Sequence, residues 1–265
     1  MSEPGPVRLT VLGSGTSTGV PIVGCSCPVC LSPDPRDART RCGVHLACEG
    51  FGLQIDVSPD FRAQALRHRF GRVDAVVVTH CHADHVLGLD DLRRFNTTQG
   101  TGISLHASPR TMRGVERIFG YLVSPPPDQA GMYRAKIDFR ETGPEPFECG
   151  PFRVRLFDVP HGPAVASAVE VRAGSRRIVV ASDCSEVSDE LAAAMRGADA
   201  VLLDGLRERP HPAHLTIRQA ADALVASGCE NPYLIHLGHD LLHADVPSRV
   251  SAPVLPSWDG LVLEL

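Results

Sequence analysis

The 265-residue chain is long enough to bury one substantial core, and its 43% hydrophobic and 22% charged residues match an ordinary globular protein. Its apolar runs fall short of the roughly 20 residues a membrane helix needs, and the start MSEPGPVRLTVLG lacks a basic segment leading into an apolar stretch, so the reading is a cytoplasmic protein with no membrane partner. With 26 Lys and Arg against 31 Asp and Glu, a net charge of -5 weighs against extended nucleic acid as a partner and leaves a small anion open.

Along the chain, short apolar runs read as strands: VRLTVL (7–12), FGLQIDV (51–57), VDAVVVTH (73–80), FRVRLFDV (152–159), ASAVEV (166–171), RRIVVASD (176–183), ADAVLLD (198–204), NPYLIH (231–236) and LVLEL (261–265). Segments with capping residues and Ala/Leu periodicity predict helices over 58–69, 188–196 and 216–227. Several strands follow one another before helices intervene, which favours two packed sheets with helices outside over strict βαβ alternation. No linker or repeat divides the chain, so residues 1–265 read as one domain. The less regular segment 97–145, with SPPPDQAGMY (124–133) near its middle, reads as a surface excursion or lid, with an inert connecting loop as the even alternative.

The densest chemistry lies in VVVTHCHADHVLGLDDL, where an apolar strand ends and His80, His82, Asp84 and His85 follow within six residues. Three histidines and an aspartate packed this closely would be costly without metal or water contacts. Strand alternation followed by a turn lets His80 and His82 face one point and Asp84 and His85 another nearby, which suits two metals. His161, Asp183, His236 and His239 also stand where apolar strands terminate, the arrangement expected if ligands converge on one rim of the sheets. Two metals about 3.5 to 4 Å apart would activate a hydroxide near neutral pH and polarise a substrate oxygen, so hydrolysis is the natural reaction class.

THCHADH resembles the HxHxDH signature of the metallo-β-lactamase superfamily, and His161, Asp183 and His236 match its remaining ligands. The resemblance implies an α/β fold, an αββα sandwich of two mixed sheets flanked by helices, with the metal site at one edge between the sheets. It also implies His80, His82 and His161 on one divalent metal, Asp84, His85 and His236 on the other, and Asp183 bridging. Zn and Mn are the leading metals, and His/Asp ligands accept Fe as well. Asp84 is thereby essential to turnover, and Asp56 in LQIDVS becomes a carboxylate that orients ligands from behind.

Three thiols in GVPIVGCSCPVC (Cys25, Cys27 and Cys30) call for a soft tetrahedral ion and a fourth ligand. A phosphate loop would need Lys followed by Ser or Thr after the glycines, which GSGTSTG lacks, and a CxxC redox pair ignores Cys25. The stretch resembles the cysteine cluster of the phosphoribosyl cyclic phosphate phosphodiesterases, which implies a structural zinc on Cys25, Cys27, Cys30 and His239; His243 and Cys42 remain substitutes for the fourth ligand. The other cysteines sit in apolar contexts typical of buried thiols, and nine in all is an odd count for a disulfide framework.

RPHPAHLTI, with His214 just before a helix starting near Thr216, is similar to a context that supplies a general acid or base in phosphodiesterase branches of the superfamily, including the transfer-RNA 3′-processing endonucleases. That resemblance assigns His214 the catalytic proton role, with His211 as the substitute. Arg39 or Arg41 offers a phosphate contact, a structural role being the equal alternative. Phe95, Tyr121 and Tyr133 line a pocket or belong to the core; His45, His68, His106 and His243 lack clustered partners and read as core or surface. The expectation is a dinuclear phosphodiesterase in which hydroxide attacks a small, cyclic or simple phosphodiester, with homodimerisation left open. Two rivals are an RNA-processing nuclease of the same superfamily and a non-catalytic accessory protein resembling the pyrroloquinoline-quinone-biosynthesis group.

Overall fold

The architecture follows from strands buried on both faces. β1 (Arg8–Gly13) exposes only Arg8, and β4 (Ala75–Val78), β11 (Ala200–Asp204) and most of β10 (Arg176–Ala181) are buried throughout, so each needs a covering layer on either side. A computed structural model, which describes residues 5–124, 127, 133–251 and 253–265, provides those layers as two seven-stranded sheets with helices outside.

The first sheet runs β14-β1-β2-β3-β4-β5-β6, adding β2 (Gly43–Cys48), β3 (Phe51–Ile55), β5 (Ile103–Ala107), β6 (Ile137–Glu141) and β14 (Val262–Glu264). The second runs β13-β12-β11-β10-β9-β8-β7, with β7 (Phe147–Cys149), β8 (Phe152–His161), β9 (Ala164–Ala173), β12 (Asn231–Ile235) and β13 (Leu255–Pro256). Leu9, Val11, Leu53 and Val77 of one sheet meet Val154, Leu156, Val169 and Ile178 of the other in a shared apolar core. Each such fully buried side chain contributes about 1.5–3 kcal/mol.

Helices cover the outer faces. α1 (Phe61–His68), α3 (Leu92–Gln99), α4 (Pro109–Ile118) and α5 (Gly120–Val123) lie over the first sheet, burying Phe61, Leu92, Phe95, Met112 and Val115. α6 (Asp189–Met195) and α7 (Ile217–Ser227) lie over the second, burying Leu191, Ile217 and Leu224. α7 starts on a capping box between Thr216 and Gln219 and stops at Gly228, whose φ of 64° closes the helix. The helices expected over 58–69, 188–196 and 216–227 all form.

The segment 97–145 is not an excursion. It contains β5, which pairs with β4 on one side and β6 on the other, and the buried face of α4. Its weak periodicity misled the reading because β5 is short and β6 is a half-exposed edge strand. SPPPDQAGMY lies mostly outside the described residues.

Strands β3 to β6 are mutually parallel, as are β10 to β13, and β8 runs antiparallel to β9, which is antiparallel to β10. The ends of β4, β8, β10, β11 and β12 therefore open on a shared rim, where open α/β sheets place their ligands.

Candidate metal centre and active site

His80 and His82 follow β4, Asp84 and His85 lie on the single turn of α2 (Ala83–Val86), His161 ends β8, Asp183 follows β10 and His236 follows β12. One trio brings His80, His82 and His161 together and another Asp84, His85 and His236, with ligand atoms of each trio within 4.8 Å of one another. Asp183 stands between them: Oδ1 is 4.0 Å from His80 Nε2 and 3.9 Å from His161 Nε2, while Oδ2 is 3.2 Å from His85 Nε2. His236 Nε2 is 3.4 Å from Asp183 Oδ1 and 3.6 Å from Asp84 Oδ2.

The donor set fits divalent cations on its own chemistry. Asp183 Oδ2 and both ring nitrogens of His236 are buried without a hydrogen bond, an arrangement that is expensive unless something satisfies them. Burial opposes charge on Asp84 and Asp183, but the neighbouring His236 and His85 outweigh it and hold both carboxyls well below the usual range. Burial likewise opposes charge on His85, yet Asp183 and Asp56 hold it well above the ordinary histidine value. His80 is pushed well down, first by burial and then by His85. Carboxylates and imidazoles this close exchange charge among themselves in the absence of a cation.

Asp56 packs against His85 and Thr79. Its Oδ2 accepts from His85 Nδ1 at 2.7 Å and from the Thr79 hydroxyl at 2.8 Å, and Oδ1 accepts from the Thr79 N–H at 2.8 Å. Asp56 and His236 both adopt the left-handed backbone region, with φ of 57° and 62°. Strain of this kind, about 1–3 kcal/mol at a non-glycine residue, concentrates at functional sites.

His214 lies beside the centre, its ring centroid 4.8 Å from both the His161 and the His236 rings. Its Nδ1 is 2.7 Å from Oδ2 of Asp204, a fully buried carboxylate at the end of β11 whose same oxygen accepts from the Cys184 N–H. Burial, then His236, holds His214 down to about 4, and burial pushes Asp204 well up. With Nδ1–H donating to Asp204 Oδ2, Nε2 of His214 would be the acceptor. Sequence reading missed Asp204, although ADAVLLD ends on an acid just as IVVASD does. His211 accepts from the Ala213 N–H at 3.2 Å and sits 5.0 Å from His214, outside the ligand trios.

Cys25, Cys27 and Cys30 converge on His239, whose Nδ1 is 3.5, 3.4 and 3.5 Å from the three sulfurs. The Cys30 N–H is the largest influence lowering the Cys27 thiol to about 6, while burial pushes Cys30 up to about 11. Sulfurs so crowded lack a counter-charge, which a soft tetrahedral cation supplies. The substitutes lie elsewhere: Cys42 is in the inter-sheet core, and His243 packs edge-on against Trp258. Cys42, Cys48, Cys149, Cys184 and Cys229 are buried thiols, as expected, whereas Cys81, expected with them, is only half-buried; every cysteine is free.

Arg39 is not available to a phosphate. It is 1% exposed, donates to Asp37 at 2.9 Å and to the carbonyls of Gly238 and Leu241, and thereby holds the loop between His236 and the cysteine cluster. Arg41 pairs with Asp60 at 3.0 Å. The glycine turn serves close packing: a Cβ on Gly13 would lie 2.0 Å from the Arg41 carbonyl, and one on Gly15 2.6 Å from that of Arg39. Leu237, next to His236, donates to the Ser14 carbonyl at 2.9 Å, so this turn braces the ligand loop. Phe95 lines a cavity of about 440 Å³ with Phe61 and Phe70, whereas Tyr121 and Tyr133 are exposed.

The Beta-lactamase superfamily domain model matches residues 53–237, which contain all seven clustered candidate ligands. The chain belongs to the metallo-β-lactamase superfamily, a fold that holds divalent metals and serves mostly hydrolases. Within it the chain is related to the PhnP family. A crystal structure described as a new diphosphatase from that family superposes with a TM-score of 0.89 at 34% identity, covering 98% of each chain. Zn²⁺-bound PqqB from Methylobacterium extorquens shares the fold, with a TM-score of 0.78 at 22% identity over 97% of this chain and 100% of that one. Among curated sequences, an octanoyltransferase of Porphyromonas gingivalis is 33% identical over 96% of this chain, which spans about half (51%) of that protein's length. Coenzyme PQQ synthesis protein B of Methylorubrum populi is 30% identical over 75% of this chain and 73% of its own. Among the described residues no helix is long and apolar enough to cross a membrane.

Proposed function

We propose that the protein is a dinuclear metal phosphodiesterase acting on a small phosphoric diester or anhydride, a cyclic phosphodiester among them. The observation that carries the reading is the His214–Asp204 dyad, 4.8 Å in ring separation from His161 and His236, beside two ligand trios joined by Asp183. The likeness to a PhnP-family diphosphatase supports phosphoryl chemistry.

His80, His82 and His161 would hold one ion, Asp84, His85 and His236 the second, and Asp183 both. When bound, two such ions lower the pKa of a water and withdraw charge from the phosphoryl oxygens. The protein's own part is to orient and to move a proton. Asp56 fixes the His85 ring through Nδ1, so Nε2 is the nitrogen directed at the site. Asp204 does the same for His214, whose Nε2 takes a proton as water adds to phosphorus and returns it to the oxygen leaving as the P–O bond breaks. In balance, the water's hydroxyl stays on phosphorus and its hydrogen on the leaving oxygen. Cys25, Cys27, Cys30 and His239 would hold a structural zinc.

The test is purified protein reconstituted with Zn or Mn, with metals quantified on the same sample and assayed on bis(p-nitrophenyl) phosphate and a panel of cyclic phosphates. About three metals per chain with turnover supports the reading. Full metal occupancy with no hydrolysis of any of them would overturn it in favour of a non-catalytic role.

A further inference from the structure

His236 differs from other histidines of the metal centre in what holds its ring. Nδ1 of His85 donates to Asp56 at 2.7 Å, Nδ1 of His161 donates to the Ala213 carbonyl at 2.8 Å, and Nδ1 of His80 lies 3.1 Å from the Thr79 hydroxyl. Both ring nitrogens of His236 are buried without a hydrogen bond, although its Nε2 lies 3.4 Å from Asp183 and 3.6 Å from Asp84. A metal-binding histidine ordinarily has its ring fixed through the second nitrogen. Here the aim of the ring falls to its backbone and the packing around it. That backbone has a φ of 62°, which a residue other than glycine keeps only under outside restraint.

We propose that Asp259, a buried carboxylate between β13 and β14, is the positioning residue for His236 and thereby sets the affinity of the Asp84–His85–His236 site for its ion. The inference rests on the dinuclear reading of the site and adds to it a residue that touches no ligand.

The Asp259 side chain is 2% exposed, and each of its oxygens accepts two hydrogen bonds. Oδ1 accepts from the Ser14 N–H at 2.9 Å and the Ser14 hydroxyl at 2.8 Å, and Oδ2 from the Thr40 N–H at 2.8 Å and the Thr40 hydroxyl at 2.6 Å. Its ion-pair partner among the described residues is the exposed Arg67, at 3.7 Å. A carboxylate buried with so little counter-charge depends on the donors it gathers, and so fixes them.

Those donors belong to the turn that grips the ligand loop. The Ser14 carbonyl accepts from the Leu237 N–H at 2.9 Å, and the Thr16 N–H donates to the Leu237 carbonyl at 3.1 Å, so the residue after His236 is held by both its backbone groups. The Gly15 N–H donates to the Thr40 carbonyl at 2.8 Å, which ties the two residues bound by Asp259 to each other. At its other end, the segment carrying Asp259 is fastened to β12: Pro256 pairs with Leu234, and the Ser257 N–H donates to the Leu234 carbonyl at 2.9 Å. A closed path therefore runs from Leu234 through Ser257, Asp259 and Ser14 to Leu237, with His236 inside it. Asp259→Asn keeps the shape of the side chain but turns an NH₂ group toward two donors, which breaks the path.

Stepwise withdrawal of zinc from the metal-loaded protein by chromogenic chelators of graded strength tests this. Asp259→Asn should weaken one histidine-site zinc by about tenfold or more, the same ion that His236→Ala weakens, and leave the other steps within twofold. Added to His236→Ala, Asp259→Asn should change that step by less than twofold, because it acts through the His236 ring. Val154→Ala, a destabilised control in the core between the sheets, should leave every step within twofold. An unchanged step in Asp259→Asn, equal weakening of every step, or additive effects in the double variant overturns the proposal. If Asp259→Asn does not fold, Ser14→Ala, which removes one of the four bonds, carries the comparison: a smaller shift of the same step supports the proposal and no shift overturns it. Absence of histidine-site zinc from the parent protein would count against the dinuclear reading itself. The His236 Cα and Cβ chemical shifts, which follow its φ, then judge Asp259 alone. A change in the Asp259 variant that Val154→Ala lacks supports the positioning role, and identical shifts overturn it.

Discussion

Arg39 and Asp37 form an ion pair at 2.9 Å with side chains only 1% and 3% exposed, and the pair joins the two metal-ligand clusters. Arg39 reaches on to the carbonyls of Gly238 and Leu241, on either side of His239, and Asp37 accepts from the His243 N–H at 2.6 Å. Desolvation of this pair is offset by three hydrogen bonds to the segment after His236, with sequence separations of 199, 202 and 206 residues.

Arg39→Leu leaves Asp37 buried without its partner, which at such sites costs about 3–5 kcal/mol. The expected outcome is a fall of several degrees or more in melting temperature, together with faster zinc loss to a chromogenic chelator. Arg39→Lys, which keeps the charge and loses the fork, should recover part of both.

Asp84→Asn should abolish turnover with the fold intact. The carboxylate reaches His85 and His236 at 3.2 and 3.6 Å, so its loss removes one anionic ligand from the second trio. Metal analysis should show the active-site content falling by about one ion per chain, and circular dichroism should be unchanged.

His214→Ala should lower kcat by about 10²- to 10⁴-fold, the range for a positioned proton-transfer group. KM should change little; metal content is read on the same sample, because His214 also lies within ligand distance of His161 and Asp183. Asp204→Asn should act in the same direction through the His214 ring alone. A pH–rate profile displaced in the Asp204 variant separates positioning from simple destabilisation.

Buried histidines remote from the metals predict acid sensitivity. Burial holds His45 and His106 each down to about 4, below the 6.5 of the unfolded chain. The unfolded state therefore binds more protons between those values, and stability is full above about pH 6.5 and lost as pH falls toward 4. His45→Phe, which keeps the stack on Phe70 at 4.3 Å, should flatten the fall in melting temperature over that window.

Cys27→Ser should remove one zinc per chain and lower the melting temperature while leaving active-site metals in place, because the thiolate set and the Asp183-bridged set share no ligand. Equal loss of all metals would show that the two clusters fill together.

The metal motif was readable in the sequence because its information is local: a buried strand run followed by His80, His82, Asp84 and His85 admits few other uses. The strand-end positions of His161, Asp183 and His236 were also visible, since apolar runs mark where strands stop. Two packed sheets were suggested by strands following one another before helices intervene, and the αββα arrangement came from the resemblance of THCHADH to the superfamily signature. Residues whose meaning depends on distant partners could not be read in this way. Arg39 looked equally suited to a phosphate until folding placed it in the interior between Asp37 and the Gly238 carbonyl. Asp204 looked like a strand end until β11 brought it to 2.7 Å from His214. The segment 97–145 looked irregular because β5 and β6 obtain their order from pairing with β4 and with each other rather than from their own periodicity. Which residues can bind or transfer a proton was set by side-chain chemistry along the chain; which of them are buried, paired or left free was decided by long-range packing, because desolvation and hydrogen bonding depend on neighbours that only the folded chain supplies.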